Sequence, residues 1–235
     1  NPYTTAPNTA HILWTEQLNF GGIIRGTYGI GQAYYTGLQY EPKLNPPIIM
    51  NGILYYNTAD PPRYGFKAVD LRTGKTLWYQ NSTYQLSFGQ IYLYDSPNQH
   101  GAIPYLWSRV GSTLHMFDAF TGNYILSINN VPSGYMTFGP SGEILIYTLN
   151  TASHWISMWN SSMAIPPPSG GGPNDWMWRP DNYRGQTLNG TRGIQWTVTG
   201  NTAPSGSSFQ WYWNNILISH AVVQTGDIWP TLVHV

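Results

Sequence analysis

A hairpin phrase stated twice limits this chain more than any other feature. GFKAVDLRTGKTLW, from Gly65 to Trp78, returns as LHMFDAFTGNYIL, from Leu114 to Leu126. Asp118 takes the place of Asp70, and Thr121 and Gly122 take the places of Thr73 and Gly74. Each phrase has two β-rich runs around a polar turn, which predicts paired antiparallel strands. An Asp opening the turn can hydrogen-bond backbone a few residues on, and the Gly closing it can take the positive φ that most side chains forbid. Trp78 supplies the largest buried surface on the outgoing strand. A phrase that recurs at this spacing marks a repeat protein.

Three repeats follow from the pattern, at about residues 46–80, 88–128 and 137–198, with partial repeats at 11–17 and 207–223. Within the first, PPIIMNGILYYN places Asn51 and Gly52 between two β-rich runs, a strong signal for a two-residue hairpin. In the third, HWISMWN aligns on the second phrase with Trp159 on Phe117 and Asn160 on Asp118, but no Thr and Gly follow. Trp196 in GIQWTV restores the outgoing tryptophan, and IPPPSGGGP, residues 165–173, reads as a loop inserted before it. HILW, His11 to Trp14, reads as an outgoing strand without its partners. FQWYW and ILISHAVV, joined by Asn214 and Asn215, predict a last hairpin with a two-residue connection. No stretch has sustained helical periodicity, so the fold class is all-β.

The chain of 235 residues carries 10 basic and 10 acidic side chains, and only 9% are charged, against about 25% in an ordinary soluble protein. There is no basic excess to neutralise phosphates, which argues against nucleic acid as partner. Cysteine is absent, which removes disulfides and thiolate chemistry. No apolar run reaches the length of a membrane helix. The chain opens on Asn1 without a charged and apolar leader, and is read as a mature form or part of a longer polypeptide. Sequons at Asn81, Asn160 and Asn189 are glycosylation candidates, although a chain this rich in Asn, Ser and Thr holds about three by chance.

AVDLRTGKTLW, Ala68 to Trp78, with GILYY before it, resembles the quinoprotein-type, or pyrroloquinoline-quinone-like, β-propeller repeat. The resemblance implies four-stranded blades, arranged as part of a larger ring or as a small ring of about four. Asp70, Thr73, Gly74, Trp78, Asp118, Thr121 and Gly122 then carry the structural blade turns. Members of the family include quinone-dependent dehydrogenases, which hold a calcium ion with acidic and amide side chains and often carry a pair of adjacent cysteines. This chain has no such cysteine pair, so quinone and calcium enter only under the alternative of a dehydrogenase fragment, and no cofactor is expected.

Other chemistry is sparse. His11, His100, His115, His154, His220 and His234 have no metal-ligand spacing, and His115 and His154 read as strand residues. Asp175 and Asp181 near the glycine loop are the remaining calcium candidates, and GPSGE around Ser141 is a turn and not a nucleophile elbow. Trp211 and Trp213 share a strand face, as do Trp176 and Trp178, and such tryptophans stack on sugars or fill a core. The expected function is a non-catalytic extracellular scaffold that contacts other protein chains or further blades of the same polypeptide. A carbohydrate-binding module is the other alternative.

Overall fold

A computed structural model describes residues 9–16, 46–60, 63–96, 99–166, 180–200, 208–212, 216–222 and 231–234. Strand is the main element, arranged in successive antiparallel sheets of the β-propeller blade type. The first sheet runs in chain order through β1 (Ile48–Met50), β2 (Ile53–Asp60), β3 (Arg63–Asp70) and β4 (Thr76–Asn81). The second contains β5 (Phe88–Ser96), β6 (Gln99–Val110), β7 (Thr113–Asp118) and β8 (Tyr124–Asn129). The third pairs β9 (Tyr135–Phe138), β10 (Ile144–Asn150), β11 (Trp155–Asn160) and β13 (Ile194–Thr199). A fourth has three strands, β14 (Ser208–Tyr212), β15 (Ile216–Val222) and β16 (Thr231–His234).

The chain divides into two compact units, Asn1–Gly89 with Phe120–Asn123, and Gln90–Ala119 with Tyr124–Val235. In the first unit Met50 faces Ile53 across Asn51 (φ 51°) and Gly52 (φ 76°), the two positive-φ residues of the tight hairpin that the sequence predicts. One cross-strand row explains why a small residue precedes the Asp: Tyr55 lies opposite Ala68, and Ala68 lies opposite Trp78. With only a methyl between them, the Tyr55 and Trp78 rings approach to 5.9 Å, and Phe66 meets Trp78 edge-on at the same separation. Tyr55, Phe66, Ala68 and Val69 are almost wholly buried. A buried Asn57 fastens the following loop, its Oδ1 accepting from Leu86 N at 2.7 Å and its Nδ2 donating to Leu86 O at 3.0 Å.

In the second unit, consecutive residues are buried at Tyr105–Ser108, Ile125–Ile128 and Ile144–Tyr147, so both faces of these strands are covered. Continuous apolar runs are the sequence form of that burial. Polar links run within the second sheet and from it to the loop before β10. Trp107 Nε1 donates to the buried Gln90 Oε1 at 2.8 Å, and Gln90 Nε2 donates to Gly142 O at the same distance.

Several expectations need correction. No strand is assigned over His11–Trp14, because this segment has no ladder partner among the described residues. His154 precedes β11 and sits exposed in a turn at φ 54°, so it is not a strand residue. Between β11 and β13 the described residues contain α1 (Ser161–Ala164), two 3-10 turns, Pro180–Tyr183 and Gly190–Gly193, and β12 (Thr187–Asn189), while most of the loop expected at 165–173 lies outside the described residues. β12 runs parallel to β8, with Leu188 opposite Ile128, and adds a fifth strand to the second sheet. In the last sheet Tyr212 faces Ile216, and the two-residue connection expected at Asn214 and Asn215 lies outside the described residues.

Candidate interaction surface

The Asp70 turn is closed by its own hydrogen bonds. Asp70 Oδ1 accepts from Arg72 N at 3.1 Å and from Thr73 N and Thr73 Oγ1 at 2.8 Å, while Gly74 N donates to Asp70 O at 2.9 Å. The bonds from Thr73 hold the carboxyl below its ordinary pKa. Gly74 has φ 72°, the left-handed value that the turn requires. This carboxylate is engaged in shaping backbone.

Gly74 serves a second purpose. A Cβ there would lie 2.7 Å from the Trp14 ring, and Trp14 Nε1 donates to Leu71 O at 2.9 Å. The indole therefore lies flat on the turn. The second phrase repeats the ring contact without the indole hydrogen bond: a Cβ at Gly122 (φ 73°) would lie 2.7 Å from the Trp78 ring, whose buried Nε1 has no hydrogen-bond partner among the described residues. Gln80 Nε2 donates to Thr121 O at 3.1 Å and to Asn123 Oδ1 at 3.3 Å. Tryptophans thus dock on the Thr–Gly turn of the following phrase, Trp14 on residues 71–74 and Trp78 on residues 121–123. Although its segment is not paired as a strand, Trp14 lies on the first turn as Trp78 lies on the second.

Glu16 anchors that segment. Tyr56 Oη donates to Glu16 Oε2 at 2.5 Å, Lys67 pairs with Glu16 Oε1, and the Lys67 ammonium lies 5.1 Å from the Tyr56 ring centroid. Burial alone would raise the Glu16 pKa, but the bonds from Lys67 and Tyr56 and the Lys67 charge outweigh it and hold the carboxyl below its usual range. Sequence reasoning missed this cluster. Its only trace was a Tyr and a Lys in register on adjacent strands.

A polar trio on the second sheet was also missed. His115 and the buried Ser127 are cross-strand partners, with Nδ1 and Oγ 2.7 Å apart, and Tyr124 Oη lies 2.6 Å from the same Oγ. Desolvation pushes the His115 pKa down. The signal was present, since Ser127 is the single polar residue inside YILSI.

Exposed apolar side chains occur on the outer strands as well as at Ile12, Leu13, Phe120 and on inner strands. On β4, Leu77 is 48% and Tyr79 40% exposed, and on β13, Ile194 is 46% and Val198 55% exposed. Both strands end their sheets, whereas the edge of β8 is occupied by β12. An edge strand presents unpaired backbone groups to any extended partner.

The remaining site residues are dispersed. Asn81 ends β4 and is exposed; Asn160 caps α1, and Asn189 caps the 3-10 turn after β12. Asp118 ends β7. Trp211 lies on β14 opposite Leu217, while Trp213, Trp176, Trp178 and Asp175 lie outside the described residues. Asp181 pairs with Arg184. Among the described residues, no three His, Asp or Glu side chains converge in a metal-binding group, and no helix is long and apolar enough to cross a membrane.

No family model matches the sequence, and no curated protein matches it. Among solved structures the chain is similar to BamB from Moraxella catarrhalis, with 14% identity over 74% of this chain and 46% of that one, at a TM-score of 0.35. It is similar to Hsv2p from Kluyveromyces lactis, with 10% identity over 80% of this chain and 59% of that one, at a TM-score of 0.35. A quinohemoprotein alcohol dehydrogenase from Pseudomonas putida matches with 16% identity over 74% of this chain and 27% of that one, at a TM-score of 0.30. The chain spans 46% and 59% of the length of the first two.

Proposed function

We propose that this chain is a non-catalytic, extracellular propeller scaffold of the quinoprotein-like repeat type, working through protein contacts made at its outer strands. The observation that carries the reading is the pairing of uncharged edge strands with exposed Leu77, Tyr79, Ile194 and Val198. Apolar, charge-free edges are covered by a partner with little desolvation penalty, and interface cores are depleted of charge in the same way. The quinoprotein-like type is supported by the Ala68, Asp70, Thr73, Gly74 and Trp78 pattern together with the docking of indoles on Thr–Gly turns.

Photo-crosslinking tests this. A photoreactive amino acid replacing Tyr79 or Val198 in the native host is expected to capture discrete protein adducts, and one replacing the exposed Ser153 is not. Equal capture at all three positions, or none at Tyr79 and Val198, would refute the assignment.

A further inference from the structure

The three sequons are equivalent in sequence but not in structure. At Asn189 the carboxamide oxygen is turned inward: Oδ1 accepts from Thr191 N and Thr191 Oγ1, both at 3.1 Å, and from Asn130 Nδ2 at 3.2 Å. Nδ2 is thereby directed away from these partners on an exposed residue. Asn81 is exposed at the end of β4 and lies opposite Gly65, a residue with no side chain to crowd it. Asn160 is different. Its Oδ1 accepts from Ser162 N at 2.8 Å, and its Nδ2 already donates to Gln195 Oε1 at 3.2 Å. It is half-buried beside Ser161, which is 2% exposed and whose Oγ accepts from Ile144 N at 2.9 Å. A sugar ring on that nitrogen would have to displace Gln195.

We propose that the chain is an N-glycan acceptor that selects among its sequons, taking sugar at Asn81 and Asn189 and not at Asn160. The co-reactant is an oligosaccharide carried on a lipid phosphate. Nδ2 attacks the anomeric carbon, the carbon–oxygen bond to phosphate breaks, and the lipid phosphate leaves with the electron pair. The displaced amide proton passes to a base of the transferring enzyme, and no oxidation state changes. The folded geometry acts as the filter, because a glycan at Asn160 displaces Gln195 from the half-buried Nδ2 while one at Asn81 or Asn189 projects into solvent.

The inference rests on the extracellular part of the reading above, so the test supplies the secretory route itself. The full chain is expressed with a signal peptide in a eukaryotic host, and both secreted and cell-retained fractions are digested. Glycans are released enzymatically in heavy-oxygen water, which marks each formerly modified Asn as labelled Asp. Label is expected at positions 81 and 189 and none at 160. Asn81→Gln and Asn189→Gln should each lose the mass of one glycan, and Asn160→Gln should lose none. Label at Asn160 in the secreted protein, or its absence from either other site, overturns the proposal. That failure leaves the scaffold reading standing, whereas a null crosslinking result refutes the scaffold and leaves the sequon selection intact.

Discussion

Replacing Gly74 by alanine separates the two roles assigned to that residue. At φ 72° an alanine suffers the left-handed penalty, about 1–2 kcal/mol. Its Cβ would also stand 2.7 Å from the Trp14 ring and must push the indole off the turn, an overpacking term of about 1–3 kcal/mol. Together these give a loss of about 2–5 kcal/mol. Gly52 provides the control, with nearly the same backbone angle, φ 76°, and nothing within 4 Å of a Cβ. Gly52→Ala should therefore show the backbone term alone. The assay is urea unfolding followed by tryptophan fluorescence, completed by a double-mutant cycle with Trp14→Ala. In the Trp14→Ala background, Gly74→Ala should shrink to the Gly52→Ala value. If Gly74→Ala and Gly52→Ala are equally destabilising in the wild-type background, the indole does not dock on the turn and the account of the motif fails.

Asn57→Ala strands the Leu86 amide and carbonyl in a buried site and should destabilise by about 1–3 kcal/mol, with faster hydrogen exchange at Leu86 as the specific readout. Glu16 titrates below its ordinary value in the folded chain, so its contribution is complete above the unfolded pKa and is lost as pH falls through the folded one. The stability excess of wild type over Glu16→Gln, measured by urea midpoint, should accordingly vanish in acid; an excess independent of pH would contradict the ion pair. His115 is depressed by burial, so the unfolded chain takes up a proton first as pH falls through the ordinary histidine range, and stability should drop there. His115→Asn should flatten that part of the profile, and an NMR titration showing an ordinary His115 pKa would refute the desolvated trio.

The legible parts of this fold were those with local causes. Asn51–Gly52 and Asp70 to Gly74 dictate their turns by backbone chemistry within a few residues, and both formed as read. Burial of both strand faces was legible in ILIY because apolar continuity is a local record of it. Features that depend on distant residues were not. β12 is only TLN, and nothing in three residues announces a parallel edge partner in the preceding repeat. HILW has strand composition but no ladder partner among the described residues, so propensity had no hydrogen bonds to realise. Glu16 lies 40 and 51 positions from Tyr56 and Lys67, and no pattern in the chain links them. The candidate sequons were found from sequence, yet their differing environments arise only once α1 and β12 have formed.

Hydrogen exchange mass spectrometry on β4 and β13, comparing the purified chain with the same chain in a preparation from its native host, tests the scaffold claim most directly. β8 serves as an internal reference, since its edge is already paired with β12. The account predicts slowed exchange of β4 and β13 amides in the native preparation, with β8 unchanged. Identical rates in both preparations would mean that nothing covers the outer strands, and would contradict a protein that works through them.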